Sequence, residues 1–109
     1  MICNNGDILL VKFPFTDLKQ SKKRPVLVIK SENKYGDFIC LQITSKSVGI
    51  HSIKIENRDI KEGKLKLISY VKYDKCFTLN SEIVEKKLAD VTEYFTKEMK
   101  RLFCDTTFQ

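Results

Sequence analysis

Arg24 is the residue of this chain whose type and position first suggest chemistry. It stands between a basic, polar segment and the apolar run Pro25–Ile29. A guanidinium presents a rigid set of donors that matches the oxygens of a phosphate group. A side chain at the start of a strand is also held more firmly than one inside a loop. We therefore predict that Arg24 binds phosphate, although a surface arginine beside a strand would give the same pattern.

The distribution of charge also favours a polyanionic partner. The 109 residues include 20 Lys and Arg against 14 Asp and Glu, which gives a formal net charge of +6. Residues 1–80 contain 15 basic and 8 acidic side chains, whereas residues 81–109 contain 5 and 6. A basic surface attracts nucleic acids, and phosphate contacts make such binding depend on salt. A lysine-rich surface that serves solubility alone is the competing interpretation.

Two further segments carry groups suited to hydrogen-bond or acid–base chemistry. Thr44-Ser45-Lys46 follows the apolar run Phe38–Ile43, which predicts a strand that ends at hydroxyl groups. Lys72 and Asp74 are two residues apart, a spacing that puts both side chains on one face of a strand. The simpler alternatives are hydroxyls that bond to nearby backbone and an exposed ion pair worth less than about 1 kcal/mol.

The cysteines and the histidine do not suggest a metal site. Cys3, Cys40, Cys76 and Cys104 are widely spread without a Cys-x-x-Cys pair, and His51 is the only histidine. Buried free thiols in a reducing compartment explain the cysteines better, and we expect neither a metal nor another cofactor. An imidazole can transfer protons near neutral pH, so His51 is a secondary candidate for acid–base chemistry, on the polar side of its segment.

The surrounding sequence predicts mainly β structure to position these groups. Branched and aromatic residues favour strands at Asp7–Phe13, Pro25–Ile29, Phe38–Ile43, His51–Ile55, Leu65–Tyr73 and Glu82–Leu88, with Phe77–Asn80 as a short extended piece. The polar stretch 57–63 predicts a connector with one helical turn. Pro25 is expected at the start of its strand, where a missing N–H is tolerated.

One helix is predicted near the C-terminus. Thr92 is its expected N-cap, and Phe95, Met99 and Leu102 fall on one face. That face could pack on the sheet or on a partner subunit, and residues 105–109 are expected to fray. No apolar run approaches the roughly 20 residues needed to cross a membrane. We expect a single domain over residues 1–109.

The connection between the first two predicted strands is long for a hairpin loop. Residues 14–24 include Lys19, Lys22, Lys23 and Arg24, with only Asp17 opposing them. Loops of this length on a small sheet more often have a function than serve only to connect two strands. We therefore expect this loop to take part in binding.

Four segments, taken in order, resemble the PemK/MazF family of toxin endoribonucleases. They are GDILLVKFPFTD at 6–17, KKRPVLVI at 22–29, QITSK at 42–46 and SYVKYDKCFTL at 69–79. The resemblance implies an α+β fold, a small SH3-like barrel of about five to seven strands with a C-terminal helix. It also implies a cytoplasmic homodimer, the toxin of a type II toxin–antitoxin system, which cleaves single-stranded mRNA without metal. A cognate antitoxin would cover the basic groove, and the complex would bind DNA.

The resemblance implies catalytic roles for Arg24, Thr44 and Asp74. Cleavage through the 2′-hydroxyl of RNA needs a proton acceptor, a proton donor and cations for the charge on the phosphoryl oxygens. We expect Arg24 to stabilise the transition state, with proton donation as a further role open to it, and Thr44 to position the substrate by hydrogen bonding. Asp74 would be the base or would orient it.

The expected RNA-binding residues surround this set. They are Phe15, Thr16, Lys22, Lys23, Ser45, Lys46 and Lys72. Single-stranded RNA is bound by aromatic stacking and base-edge hydrogen bonds, so the loop 15–23 is expected to recognise sequence. Tyr35, Tyr70 and Tyr73 could also stack on bases, although each could equally serve a core or an interface.

Two other functions fit the same fold. One is a toxin without nuclease activity that binds a protein target such as DNA gyrase, and the other is a housekeeping nucleic-acid-binding module. The set of Arg24, Thr44 and Asp74 favours the enzyme, because a binding protein does not need that combination. Family members often have glycine where this chain has Ala89, which puts the turn geometry expected there in question.

Overall fold

The computed structural model describes residues 2–13, 22–46 and 49–108 of the chain. Within these ranges it contains seven strands, two short 3-10 helices and one α-helix. The strands are β1 (Asp7–Phe13), β2 (Lys22–Lys30), β3 (Asp37–Thr44), β4 (Ser52–Lys54), β5 (Ile60–Gly63), β6 (Tyr70–Asn80) and β7 (Val84–Val91). The 3-10 helices are Asn57–Asp59 and Ser81–Ile83, and the α-helix, α1, is Glu93–Thr107.

All seven strands belong to one antiparallel sheet. Its order is β4-β6-β3-β2-β1-β7-β5, so β2 and β3 are central and β4 and β5 are the edges. Side chains alternate between the two faces of each strand. The sheet therefore carries two separate apolar clusters, one on each face.

Helix α1 covers the first of these faces, here called the helix face. Phe95 and Met99 are 4% and 1% exposed and pack with Ile8, Leu27 and Val71 of the sheet. The Thr92 side chain caps the helix by accepting a hydrogen bond from the Phe95 N–H at 3.1 Å. The choice that the sequence left open is thus settled, because the apolar stripe of α1 packs on the sheet of its own chain.

The second face is apolar at one end and polar at the other. Its apolar cluster contains Cys3, Leu9, Val11, Phe13, Val26, Val28, Phe38 and Cys40. The rings of Phe13 and Phe77 meet edge to face there, with centroids 5.1 Å apart. Further along β2, β3 and β6, the residues on this face are polar or charged.

The observed fold confirms the predicted mainly β class with a C-terminal helix, and the bounds of β1 match the prediction. Some bounds were wrong. β2 begins at Lys22, so Pro25 lies inside the strand, opposite Leu10. Pairing of β2 with β3 begins only at Val26, so Pro25 lies where β2 is paired on one side, and a missing N–H can face the unpaired side.

The largest difference concerns residues 60–80. Ile60–Gly63 is an edge strand rather than part of a connector, and residues 65–69 lie outside any strand. The piece predicted at Phe77–Asn80 belongs to the same long strand as Tyr70. Propensity favoured Leu65–Ser69 as a strand, but this stretch runs between β5 and β6, which lie on opposite sides of the sheet order.

Two details near the C-terminus also differ from the prediction. Ala89 lies inside β7 and is 3% exposed, so no turn occurs there. The special geometry belongs to its partner Gly63, which has φ +89° and where a Cβ would lie 2.6 Å from the Leu88 carbonyl oxygen. The helix continues to Thr107 instead of fraying from Asp105. In the described part of the chain, no helix is long and apolar enough to span a membrane.

Candidate active site

Arg24 and Thr44 lie on the second face, at its polar end. Arg24 is opposite Val11, and Val26, two residues further along β2, is opposite Gln42 of β3. Arg24 lies two residues before Val26, where the pairing of β2 with β3 begins, and Thr44 lies two residues after Gln42. Both side chains therefore point to the same face, at the same end of these neighbouring strands. Arg24 is half-buried, and its side chain makes no ion pair or hydrogen bond with any residue that the structure describes. Its positive charge is therefore available to a ligand.

The Thr44 side chain is held by the backbone that follows it. Its Oγ1 accepts a hydrogen bond from the Lys46 N–H at 3.2 Å. This is the local turn that a threonine at a strand end commonly forms. Because the oxygen is the acceptor, the hydroxyl hydrogen remains able to donate to a substrate oxygen. Ser45 and Lys46 are exposed just beyond the strand.

Strand β6 adds a second cation to this surface. Lys72 is opposite Gln42 on one side and Ser52 on the other, and Tyr70 is opposite Thr44. Directly opposed residues point to the same face. We call the group Arg24, Gln42, Thr44, Tyr70 and Lys72 the polar corner. The structure thus brings together Arg24, Thr44 and Lys72, which were predicted from separate segments.

Gln42 and Tyr70 were not among the predicted site residues. The signal that could have found Gln42 was the two-residue period of a strand, since Thr44 and Gln42 must share a face. Identifying Tyr70 as a site residue requires knowledge of the pairing of β3 with β6, which the sequence did not reveal. From the sequence alone, Tyr70 is one of several tyrosines able to stack on a base, and nothing distinguishes it from the others.

Asp74 lies in a bulge beside the polar corner rather than in register with it. Leu41 and Gln42 are consecutive, but their partners Cys76 and Lys72 are four residues apart. The three residues between those partners, among them Asp74, therefore have no partner on β3. Asp74 is exposed, and within the described ranges it forms no ion pair with Lys72.

The two lysines at the base of the predicted recognition loop have different surroundings. Lys22 is exposed and, being two residues from Arg24, shares its face. Lys23 points to the other face, where its Nζ lies 2.9 Å from Glu85, whose carboxylate also binds Lys12 at 3.2 Å. Hydrogen bonds from Lys23 and then Lys12 lower the pKa of Glu85. Phe15 and Thr16 lie outside the described residues.

The free thiols do not belong to the candidate site. Burial raises the pKa of Cys76, which is half-buried beside the bulge, so its reactive thiolate is disfavoured. Burial also raises the pKa of Cys3 to about 11 and that of Cys40 to about 12. Cys104 is exposed, contrary to the expectation of buried cysteines.

His51 is half-buried rather than exposed. Its Nδ1 lies 3.4 Å from the hydroxyl oxygen of Tyr73, and the two rings meet edge to face with centroids 5.6 Å apart. Tyr73 belongs to the apolar cluster of the helix face. His51 is thus engaged with the opposite side of the sheet from Arg24.

Comparisons with known proteins agree with this fold. The MazE–MazF structure from Deinococcus radiodurans superimposes with a TM-score of 0.77 at 16% identity, covering 100% of this chain and 98% of that one. A MazF crystal structure from the same organism gives 0.75 at 18% identity, covering 100% and 99%. A mycobacterial endoribonuclease in complex with its cognate antitoxin gives 0.73 at 15% identity, covering 95% and 93%. No curated protein matches the sequence significantly.

A family model gives the assignment that these distant structural similarities do not give alone. The model of the PemK-like, MazF-like toxins of type II toxin–antitoxin systems matches residues 4–106, which is nearly the whole chain and includes every residue of the polar corner. The chain therefore belongs to the PemK-like, MazF-like toxin family of type II toxin–antitoxin systems.

Proposed function

We propose that this toxin is an endoribonuclease that cleaves single-stranded mRNA through attack of the 2′-hydroxyl on the adjacent phosphate. The observation that carries the proposal is the placement of Arg24, Thr44 and Lys72 on neighbouring strands of one sheet face. Two cations and a hydroxyl donor on a rigid sheet suit a phosphate whose charge increases in the transition state. Similar structures that are described as endoribonucleases support the same activity.

The reaction itself needs no metal and no covalent bond to the protein. The 2′-oxygen forms a bond to phosphorus as the bond from phosphorus to the 5′-oxygen breaks. The 2′-hydroxyl proton passes to a base, and the leaving 5′-oxygen takes up a proton. The products are a 2′,3′-cyclic phosphate and a 5′-hydroxyl end. The protein must therefore supply proton transfer and stabilise the phosphoryl charge.

The side chains of the polar corner suit these tasks unequally. The Arg24 guanidinium is a poor proton acceptor and a good ligand for phosphoryl oxygens, so it stabilises the transition state and can donate to the leaving oxygen. Lys72 adds a second positive charge on the next strand but one. Thr44 donates a hydrogen bond that fixes the phosphate in place.

Asp74 is our candidate for the base or for the residue that orients it. A carboxylate can accept the 2′-hydroxyl proton, and a bulge can direct a side chain in a way that a regular strand cannot. Asp74 lies in the bulge that immediately follows Lys72. Substitution Asp74→Asn keeps the shape of the side chain but removes the proton acceptor, and it should lower the rate of cleavage.

The partners follow from the same assignment. One similar structure is a mycobacterial endoribonuclease in complex with its cognate antitoxin, and another is the MazE–MazF structure from Deinococcus radiodurans. For this chain, we propose that a cognate antitoxin binds over the basic second face and blocks RNA. We also propose that the toxin acts in the cytoplasm as a homodimer. The charge of residues 1–80, with 15 basic against 8 acidic side chains, suits a partner segment rich in acidic residues.

The decisive experiment is cleavage of a pool of synthetic single-stranded RNAs by the purified protein without divalent metal. We expect 2′,3′-cyclic phosphate and 5′-hydroxyl ends at defined sequences, and loss of cleavage in Arg24→Ala. The matched control is Lys23→Ala, which removes a neighbouring cation on the other face. Intact RNA over a wide range of protein and salt concentration would reject the proposal and favour a non-catalytic toxin with a protein target.

A further inference from the structure

Among the described residues, the polar corner contains two side chains that the proposed cleavage chemistry does not use, Gln42 and Tyr70. They occupy neighbouring positions of the same face, because Gln42 is opposite Lys72 and Tyr70 is opposite Thr44. Both are half-buried. They therefore border the phosphate site that Arg24 and Thr44 form, on strands that cannot easily move away from it.

Tyr70 differs from the other described aromatic side chains on this face. Phe13 and Phe38 are 3% and 1% exposed and belong to the apolar cluster. Tyr70 lies outside that cluster, with Lys72 two residues along its own strand and Lys54 opposite it. The Nζ of Lys54 lies 4.0 Å from a carboxylate oxygen of Glu56, whereas Lys72 forms no ion pair among the described residues. An aromatic ring flanked by cations suits a nucleotide, because the ring can stack on a base while the ammonium groups meet phosphates.

Gln42 brings hydrogen-bonding capacity to the same place. Its amide has two N–H donors and a carbonyl acceptor. No hydrogen bond joins this amide to another residue in the ranges that the structure covers. Its neighbours across the sheet are the fully buried Val26 and the cation Lys72. A half-buried amide beside an apolar residue, without a hydrogen bond to any described residue, is suited to the edge of a nucleobase.

We infer that Tyr70 and Gln42 form the binding site for the RNA base next to the cleaved phosphate. Tyr70 stacks on the plane of the base, and Gln42 forms hydrogen bonds with its edge. This inference rests on the proposed endoribonuclease function and adds a specificity site to it. It also assigns part of the sequence recognition to strands β3 and β6, in addition to the loop between β1 and β2.

The experiment compares cleavage and binding by variants at both positions. Tyr70→Leu should weaken binding of a single-stranded RNA that carries a 2′-deoxy group at the cleavage site by about 5- to 150-fold. Tyr70→Phe should retain most of the affinity, because it keeps the ring. Tyr35→Leu is the matched control, since Tyr35 is 70% exposed in the turn between β2 and β3, away from the polar corner.

Gln42 is tested through the position-specific base preference of the cleavage sites. Gln42→Glu removes the N–H donors but keeps the size and the acceptors, so the preferred base at one position beside the cut should change. Gln42→Leu should lose the preference there while cleavage at other positions stays selective. An unchanged preference in both variants, or a Tyr70→Leu protein that binds as tightly as wild type, would overturn the inference.

The two proposals fail in different ways. If wild type binds the RNA but does not cleave it, the proposed activity is wrong, while the binding series still decides the role of Tyr70. If wild type neither binds nor cleaves RNA, both proposals are wrong. Thermal unfolding of each variant separates a lost contact from a protein that has failed to fold.

Discussion

The two faces of the sheet differ in what their residues contribute. On the helix face, buried side chains from five strands and α1 form a continuous apolar cluster in which Met99 is 1% exposed. On the second face, the apolar cluster stops before the end of the strands, and the polar corner takes its place. Arg24 is unpaired there among the described residues, whereas Lys23 on the other side is bound by Glu85.

This difference indicates a division between stability and function within one sheet. The helix face removes apolar side chains from water, which is the main source of folding free energy. Among the described residues, the polar corner leaves Arg24 and Lys72 without acidic partners, which adds little to stability and leaves them able to bind an anion. The strands carry both faces at once, so the apolar cluster on one face keeps the side chains on the other in place.

The strongest test of this division substitutes one residue on each face and measures both stability and RNA cleavage for each variant. Met99→Ala should lower the free energy of unfolding by about 2–5 kcal/mol, because it leaves a cavity beneath the helix. Arg24→Ala should leave stability within about 0.5 kcal/mol and lower kcat/KM for RNA cleavage at least about 100-fold. Urea denaturation and cleavage assays on the same two proteins measure both effects.

The opposite pattern, in which Arg24→Ala loses stability or Met99→Ala loses only activity, would refute this division between the two faces. If Arg24→Ala lost as much stability as Met99→Ala, Arg24 would be a structural residue, and its loss of activity would carry no information on catalysis. If Met99→Ala stayed fully folded but lost cleavage, the helix face would take part in the reaction.

A smaller effect is expected when the hydroxyl of Thr44 is removed. Thr44→Val keeps the shape but removes the donor, and it should lower kcat by about 10- to 100-fold with little change in KM, because the hydrogen bond matters most in the transition state. Thr44→Ser keeps the hydroxyl and should retain most of the activity. Equal losses in the two variants would show that the methyl group matters instead of the hydroxyl.

Much of the fold follows from local sequence patterns. β1 and the start of α1 were predictable because branched apolar residues in Asp7–Phe13 and a threonine cap at Thr92 act within a few residues. The long β6 was divided wrongly, since its bulge interrupts the alternation after Lys72. The edge strand Ile60–Gly63 was missed because its pairing with β7 depends on a distant segment.

The site was predictable only in part, and for the same physical reason. Thr44 is the last residue of β3, and Arg24 is the third residue of β2, directly before the apolar run that the sequence marks. Both could therefore be proposed without knowledge of strand pairing. Their proximity to Lys72 and Tyr70 depends on the neighbours β3–β2 and β3–β6, which are long-range contacts. The ion pair of Lys23 with Glu85 likewise joins distant parts of the chain and could not be foreseen.

Salt dependence of RNA binding should distinguish Lys22 from Lys23. Lys22 shares the face of Arg24, so Lys22→Ala should reduce the slope of log K against log salt concentration by about 0.7, the value for one phosphate contact on a single strand. Lys23→Ala should change it by less than half as much, because Glu85 already compensates its charge. Binding is measured by fluorescence anisotropy over a series of salt concentrations. Equal slopes would show that the ion pair opens when RNA binds.

The smallest effect concerns the cysteines, two of which lie on opposite faces of the sheet, Cys40 on β3 and Cys76 on β6. Burial raises the pKa of Cys40 in the second cluster to about 12, and it also raises the pKa of Cys76 on the helix face. The folded thiols therefore keep their protons above the ordinary value of 9.0, at which the unfolded chain releases them. The contribution of these thiols to stability should thus be constant below pH 9.0 and should fall as the pH rises toward 12.

Alkylation with iodoacetamide at neutral pH measures how readily each thiol reacts, residue by residue. The exposed Cys104 should react first and the half-buried Cys76 more slowly, while the buried Cys40 should react only when the protein unfolds. Cys104→Ser removes the fast reaction and leaves the other rates unchanged. Rapid labelling of Cys40 in the folded protein would mean that the second cluster opens readily, and the apolar part of that face could not then hold the polar corner in place.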